Sequence, residues 1–197
     1  MPAIATRHRL RTAALELFVE QGVVETTTRD LAKRAGIAEG TIYRHFESKD
    51  DLVRDLFRDH YVRFGTELNR IQAETPGGID EKLQAMIAFM CRLYDEEPTL
   101  YRFLLLVQHN ALPNIRVSPN SPGVIFRNLV TRAIEQGEVP DQNPSLAASM
   151  IIGAIIQPAL GLIYGSLTGT MSEFAPAIAS ACSALLRAHA KAAPTTH

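Results

Sequence analysis

The sequence predicts an all-α fold of about nine helices, with a small N-terminal three-helix domain joined to a larger helical one. Three observations predict it. Apolar residues recur at spacings of three and four along most of the chain. No segment shows sustained period-2 alternation rich in β-branched residues. No Asn-Gly or Asp-Gly pair offers a hairpin turn.

The first helix is expected over residues 6–21, with Leu10, Ala13, Ala14, Leu17 and Phe18 as its apolar stripe and Gly22 as its stop. Thr27 is placed to cap a short helix, with Asp30 three residues on as in a capping box. That helix buries Leu31, Ala32 and Ala35 and ends at Gly36. A second short helix is expected over residues 39–46. Ser48 then caps a long helix reaching about Glu74, with Asp50 and Asp51 in its first turn, where the helix dipole favours acid. Its stripe is Leu52, Leu56, Phe57, Phe64, Leu68 and Ile71.

Beyond the break at Thr75-Pro76-Gly77-Gly78, helices are expected over residues 79–95 and 98–112. After a proline-rich loop another runs from Pro122 to about Gln136, stopped by Gly137. Asn143-Pro144 is a cap followed by a first-turn proline. It opens an apolar helix of residues 144–167, and a last helix follows over residues 172–191. The domain boundary is expected between residues 47 and 48.

Composition bounds the chemistry. Hydrophobic residues make up 46% of 197, enough for a sizeable core. Twenty Lys+Arg stand against 21 Asp+Glu, and the first 58 residues carry ten basic and nine acidic groups. Any nucleic-acid site must therefore come from placement of charge, not from excess. Cys91 and Cys182 lie in apolar stretches with no CxxC, which fits buried thiols in a reducing cytoplasm. The six histidines form no HxxxH or Cys/His spacing, and there is no GxSxG, Walker or dinucleotide loop. No metal, no cofactor and no catalysis are expected. Residues 142–172 carry no charge, as a membrane span would not, but Gln157, Pro158 and Gly153, Gly161 and Gly165 interrupt the run and no basic cluster flanks it. A helix buried in a core or a subunit interface is the expectation, with no membrane partner.

The segment from Thr26 to Leu52 is the one that carries chemistry. Two helices of about eight residues are unstable alone and must pack on each other and on a third helix. Leu15, Phe18, Leu31, Ile42 and Phe46 supply that packing, and Gly36-Ile37-Ala38 is a short glycine-containing turn. The outer face of the second short helix presents Gly40, Thr41, Tyr43, Arg44 and His45. Small groups at its start permit close approach to a phosphate backbone. Arg44 suits a guanine edge or a phosphate, and Thr41 a base edge or a thymine methyl. Tyr43 and Lys49 are candidate phosphate contacts, with a half-buried packing tyrosine and a solvated lysine as the alternatives; a solvated face is the alternative for Thr41 and Arg44, and Thr28 and Arg29 are candidate backbone contacts. Arg7, Arg9 and Arg11 either extend that contact or form a solvated basic arm.

The segment resembles the DNA-binding domain of the TetR family of bacterial regulators. The matching residues are the Thr26-Thr27-Thr28 run, Asp30-Leu31-Ala32, Ala35-Gly36-Ile37, Gly40-Thr41-Ile42-Tyr43, His45-Phe46, Ser48-Lys49 with Leu52, and upstream Ala13 to Phe18 with Gly22. The resemblance covers about a quarter of the chain. It implies a DNA-binding transcription regulator, most simply a repressor released from a palindromic double-stranded operator by a small molecule. It further implies a larger ligand-binding and dimerisation domain, and a homodimer through the last two helices, where Ala175, Ala179, Ala181, Ser183 and Ala184 permit close approach. A degenerate helix-turn-helix on a helical scaffold is the competing reading. The candidate lining of an effector pocket is Met86, Phe89, Met90, Tyr94, Tyr101, Phe103, His109 and Phe126, with Leu106, Gln108 and Tyr164 beside them. Its apolar bias suits a hydrophobic effector.

Overall fold

The structure, a computed structural model of the chain, describes residues 2–107 and 119–188. The described residues form nine α-helices and no strand. They divide into two compact units, residues 2–62 with 97–107 and residues 63–96 with 119–188.

The first unit is built on α1 (Pro2–Glu20), α2 (Thr28–Ala35), α3 (Glu39–Ile42), the first part of α4 (Lys49–Glu74) and α6 (Pro98–Val107). α1 begins four residues before the expected start. Ala3-Ile4-Ala5 ahead of Thr6 contains no helix breaker, so the helix extends through it. The expected stripe is buried, from Leu10 through Phe18, against Leu31, Ala32, Ala35, Ile42 and Phe46. Leu52, Val53, Leu56 and Phe57 of α4 close the core from one side. Phe103 of α6 completes it, stacked on Phe18 at 6.2 Å and tilted against Phe57 at 6.5 Å. Two further ties hold α1 to α4. Arg11 pairs with Asp55 and Asp59, and Arg7 pairs with Asp55 at 2.8 Å.

The second unit holds the rest of α4, α5 (Ile79–Glu96), α7 (Pro122–Glu135), α8 (Pro144–Ile163) and α9 (Met171–Ala188). Asn143 caps α8 as the sequence predicts, and Ser121 caps α7 in the same way. Ser121 accepts from the Val124 amide, and Asn143 accepts from Ser145 and Leu146 at 3.0 and 3.1 Å. Gly137, at φ 72°, ends α7 in the left-handed conformation that only glycine adopts cheaply. α9 starts at Met171, not Ser172, because its first amides find an acceptor on another helix: Asp95 of α5 takes the Met171 and Ser172 N–H groups at 3.0 and 2.8 Å. α8 stops at Ile163, short of the expected Leu167, where Gly165 turns with φ 72°. Ala175 and Ala179 of α9, expected at a subunit contact, are buried within this unit, whereas Ala181 and Ala184 are exposed.

Among the described glycines of this unit, Gly65 of α4 leaves the least room for a side chain. A Cβ there would fall well inside van der Waals contact of the Asn120 carbonyl, just ahead of α7. The obstacle is backbone, so relief requires the start of α7 to move. Gly65→Ala should therefore cost about 1–3 kcal/mol despite the better helix propensity of alanine. A lower denaturation midpoint checks this, and an unchanged or raised midpoint would remove the close-packing account.

Candidate nucleic-acid interface

The α1–α2 connection sets the start of the interface. Thr26 is fully buried, its hydroxyl bonded to the Gly22 carbonyl at 2.7 Å. Thr27 then caps α2 with a complete capping box. Its hydroxyl accepts from the Asp30 amide at 3.2 Å, and the Asp30 carboxylate accepts from the Thr27 amide at 3.0 Å. These bonds to Thr27 hold the Asp30 carboxyl below the usual carboxylate range. Arg34 pins the far end of α2 to α1 through Glu16 at 3.0 Å and Glu20 at 2.7 Å. Gly36 terminates α2 at φ 65°, ψ 43°, and the Ile37 amide reaches back to Ala32 at 3.0 Å.

The second element is shorter than expected. α3 ends at Ile42, and residues 43–45 form a turn with the Arg44 amide on Thr41 and the His45 amide on Ile42. Such i→i+3 bonds tighten a terminal turn, and Thr41, Ile42, Tyr43 and His45 are all weak helix formers. Ile42 and Phe46 still point into the core, so the segment keeps one buried and one outer side.

The predicted contact residues distribute as follows. Tyr43 is 57% exposed with its inward neighbours already filled, and Arg44, Arg29 and Gly40 are exposed. Thr28, Thr41 and His45 are half-buried, and the Thr28 hydroxyl donates to Glu39 at 2.6 Å. Nothing lies within 4 Å of a Cβ built on Gly40, so the protein's own packing does not require glycine there. Lys49 is occupied otherwise than expected. Its ammonium donates to the carbonyls of Val23, Val24 and Thr26 at 2.7, 3.2 and 2.8 Å, which uses all three of its donors. Two of the three arginines of the presumed basic arm are committed as well: Arg11 to Asp55 and Asp59, and Arg7 to Asp55 and the Phe46 ring at 5.3 Å.

This sorting explains how a near-neutral head still presents positive charge. Arg7, Arg11, Arg34, Arg54 and Arg58 have acidic partners, whereas Arg29, Lys33 and Arg44 make no ion pair among the described residues. The sequence count could not separate these groups, and Lys33 was not singled out by it. Glu39, the partner of Thr28, was also missed; a capping-type acid at a helix start was the available signal.

The effector candidates do not share one environment. Met86, Met90, Tyr94 and Phe126 are buried core of the second unit, and Phe89 is half-buried on Phe64 at 5.8 Å. Tyr101 and Phe103 are buried in the first unit. His109, with Gln108, lies outside the described residues. A cleft of about 240 Å³ in the second unit is lined by none of them; Gln72, Lys82, Arg132 and Glu138 give it a polar wall. Burial pushes the Cys91 and Cys182 thiols up to about 11, which leaves them protonated and unreactive at neutral pH. No group of His, Cys, Asp and Glu suited to a metal ion occurs among the described residues.

Comparison with known proteins agrees with this geometry. The sequence profile of "Bacterial regulatory proteins, tetR family" matches residues 10–56, the stretch from the α1 core stripe to Leu56 of α4. The fatty acid metabolism regulator protein of Bacillus subtilis is 29% identical over 150 residues, 73% of this chain and 76% of its own. The regulator SrpR of Pseudomonas putida is 27% identical over 85% of this chain and 74% of its own. The crystal structure of FadR from Bacillus subtilis in complex with stearoyl-CoA superposes with a TM-score of 0.73 at 22% identity, covering 89% of this chain and 96% of that one. That last likeness speaks for the fold. With the helix-turn-helix, its outward Tyr43 and Arg44 and these relatives in agreement, residues 10–56 form a DNA-binding domain of the tetR-family kind, and the chain is a DNA-binding transcription regulator.

Proposed function

We propose that the protein is a homodimeric repressor that reads a near-palindromic operator in the cytoplasm and leaves it when a hydrophobic effector binds. The observation that carries the reading is the outer face of α3 and its following turn. It offers Gly40, Thr41, Tyr43 and Arg44 on an element whose other side is locked in a core. Thr41 and Arg44 take the role of base readers, and Tyr43, Thr28 and Arg29 that of phosphate contacts, with His45 beside them. Two heads related by a dimer axis would sit about one DNA turn apart, or a multiple of it. The functional division falls near residues 47 and 48, with the first half of α4 packed beneath the head.

The effector belongs to the second unit in this reading, and a fatty-acyl thioester is the first candidate because a solved relative is described with stearoyl-CoA bound. Such a ligand must favour the DNA-incompetent arrangement, typically by about 1–3 kcal/mol.

Gel retardation of the chain's own upstream DNA tests the reading. Tyr43→Ala and Arg44→Ala should each weaken binding by about 1–3 kcal/mol. If both variants bind like the parent, the recognition face lies elsewhere. If the parent retards no DNA even at low salt while remaining a dimer, the helix-turn-helix is degenerate. Stearoyl-CoA should release the complex; failure to do so removes the acyl assignment and leaves the DNA reading intact.

A further inference from the structure

We propose that the cleft between α4, α5 and α7 of the second unit binds a small aliphatic carboxylate, at a site separate from that of the hydrophobic effector. The cleft is built around Gln72 of α4, which is buried although polar. Its main-chain carbonyl accepts from the Lys82 ammonium at 3.0 Å. Its side-chain oxygen accepts from the Arg132 guanidinium at 2.7 Å, and its side-chain nitrogen donates to Asn69 at 2.9 Å. Lys82 also donates to the Thr75 carbonyl at 3.2 Å, just past the end of α4, where carbonyls lack helical partners. Two cations from different helices are thereby tethered to one residue.

Their charge is not compensated. Neither Lys82 nor Arg132 makes an ion pair among the described residues. Glu138, the acid of the lining, gives its carboxylate to the Ile79 amide at 2.5 Å, at the start of α5. The lining therefore carries two cations and one carboxylate, an excess of one positive charge. Like charges held together repel, and a bound anion removes that cost. Both side chains keep donors for it: Lys82 uses two of its three N–H groups and Arg132 one of its five. Because these bonds already fix both side chains, little rotamer freedom remains to be lost on binding. The rest of the lining sets the body of the ligand. Ile79, Leu129 and Ala133 are buried and apolar, which suits a hydrocarbon chain and not inorganic phosphate. The volume of about 240 Å³ lies below the roughly 300–1,000 Å³ of sites for drug-sized ligands, so the chain is short and a stearoyl group is too long for it.

Hexanoate, titrated into the full chain and followed by amide NMR shifts, tests the site. Saturable shifts are expected at Ala73, Lys82 and Ala133, and none around Met86 and Met90 in the core. Hexanamide, its neutral counterpart, should bind about tenfold more weakly or worse, because the charge-assisted bonds are lost. Arg132→Gln and Lys82→Gln should each weaken hexanoate by a similar factor. Arg132 is exposed, so its variant should keep the helical signal and unfolding midpoint of the parent, which separates a lost site from a lost fold. Arg132→Lys should recover only part of the binding, since it restores the charge without the planar fork. Stearoyl-CoA should leave the hexanoate shifts in place. Any of five results overturns the proposal: shifts that do not saturate or that map elsewhere, hexanamide binding as well as hexanoate, inorganic phosphate producing the same shifts, a folded Arg132→Gln variant binding like the parent, or displacement by stearoyl-CoA, which would make the cleft part of the acyl site. None of these outcomes bears on the DNA-binding reading, which gel retardation tests independently.

Discussion

Phe103→Ala should destabilise the first unit by about 3–5 kcal/mol, the largest single-residue effect expected here. Phe103 is fully buried in the core that α1 to α4 build around Leu10, Leu31, Ile42 and Leu52, with Leu104 of α6 packed against it. Its ring meets Phe18 and Phe57, each from a different helix. Truncation leaves a cavity between α1 and α4, whose collapse is restricted because Arg11 holds the two helices together. Denaturant unfolding followed by the helical signal checks the prediction. The same variant decides between two roles for the residue. If Phe103 only lined an effector pocket, truncation would weaken effector binding and leave the unfolding midpoint near that of the parent.

Phe103 also shows where the sequence stops being informative. Its spacing within residues 98–112 says that one face is apolar, but periodicity does not name the partner of that face. An aromatic residue far from the N-terminal segment in sequence belongs to its core, and only tertiary contact reveals it. The interface was legible for the opposite reason, because caps, glycine turns and outward polar groups are local. Thr27 with Asp30, Gly36, Ser48 and Asn143 all act as read from the chain. The surroundings of Lys49 were not legible, because a lysine beside a recognition element looks the same in sequence whether or not it seats on three carbonyls. The partners of Arg7 and Arg11 were hidden likewise, since their acids lie more than forty positions away on α4. The charge count failed for that reason too: it sums cations that are spent internally with cations that are not. The effector pocket stayed illegible because buried core and ligand wall have one composition.

Charging the outer face of α8 should dissociate the proposed dimer and cost the operator complex about a hundredfold or more. α8 is long and apolar enough to cross a membrane by length and composition, yet little of its most apolar stretch is buried within the chain. Ala147, Ala148, Ile151, Ile155 and Ala159 pack inward. Leu146, Met150, Gly153, Gln157 and Tyr164 fall on the opposite side at spacings of four, three, four and seven, and all are exposed, Tyr164 by 74%. A face of that length, flanked by exposed Ala181 and Ala184 of α9, is what a second copy of the chain would cover. Leu146→Glu with Met150→Glu places like charges on both copies of the proposed contact face, and both positions are exposed in the single chain. Sedimentation of the double variant should give a folded monomer where the parent gives a dimer. Operator affinity then falls because two half-sites no longer share one bound protein and the gain in effective concentration is lost. A double variant that remains dimeric would move the interface off α8. A parent that enters solution only with detergent would assign the same face to lipid, and a dimer of the two copies would no longer be the reason these apolar side chains face outward.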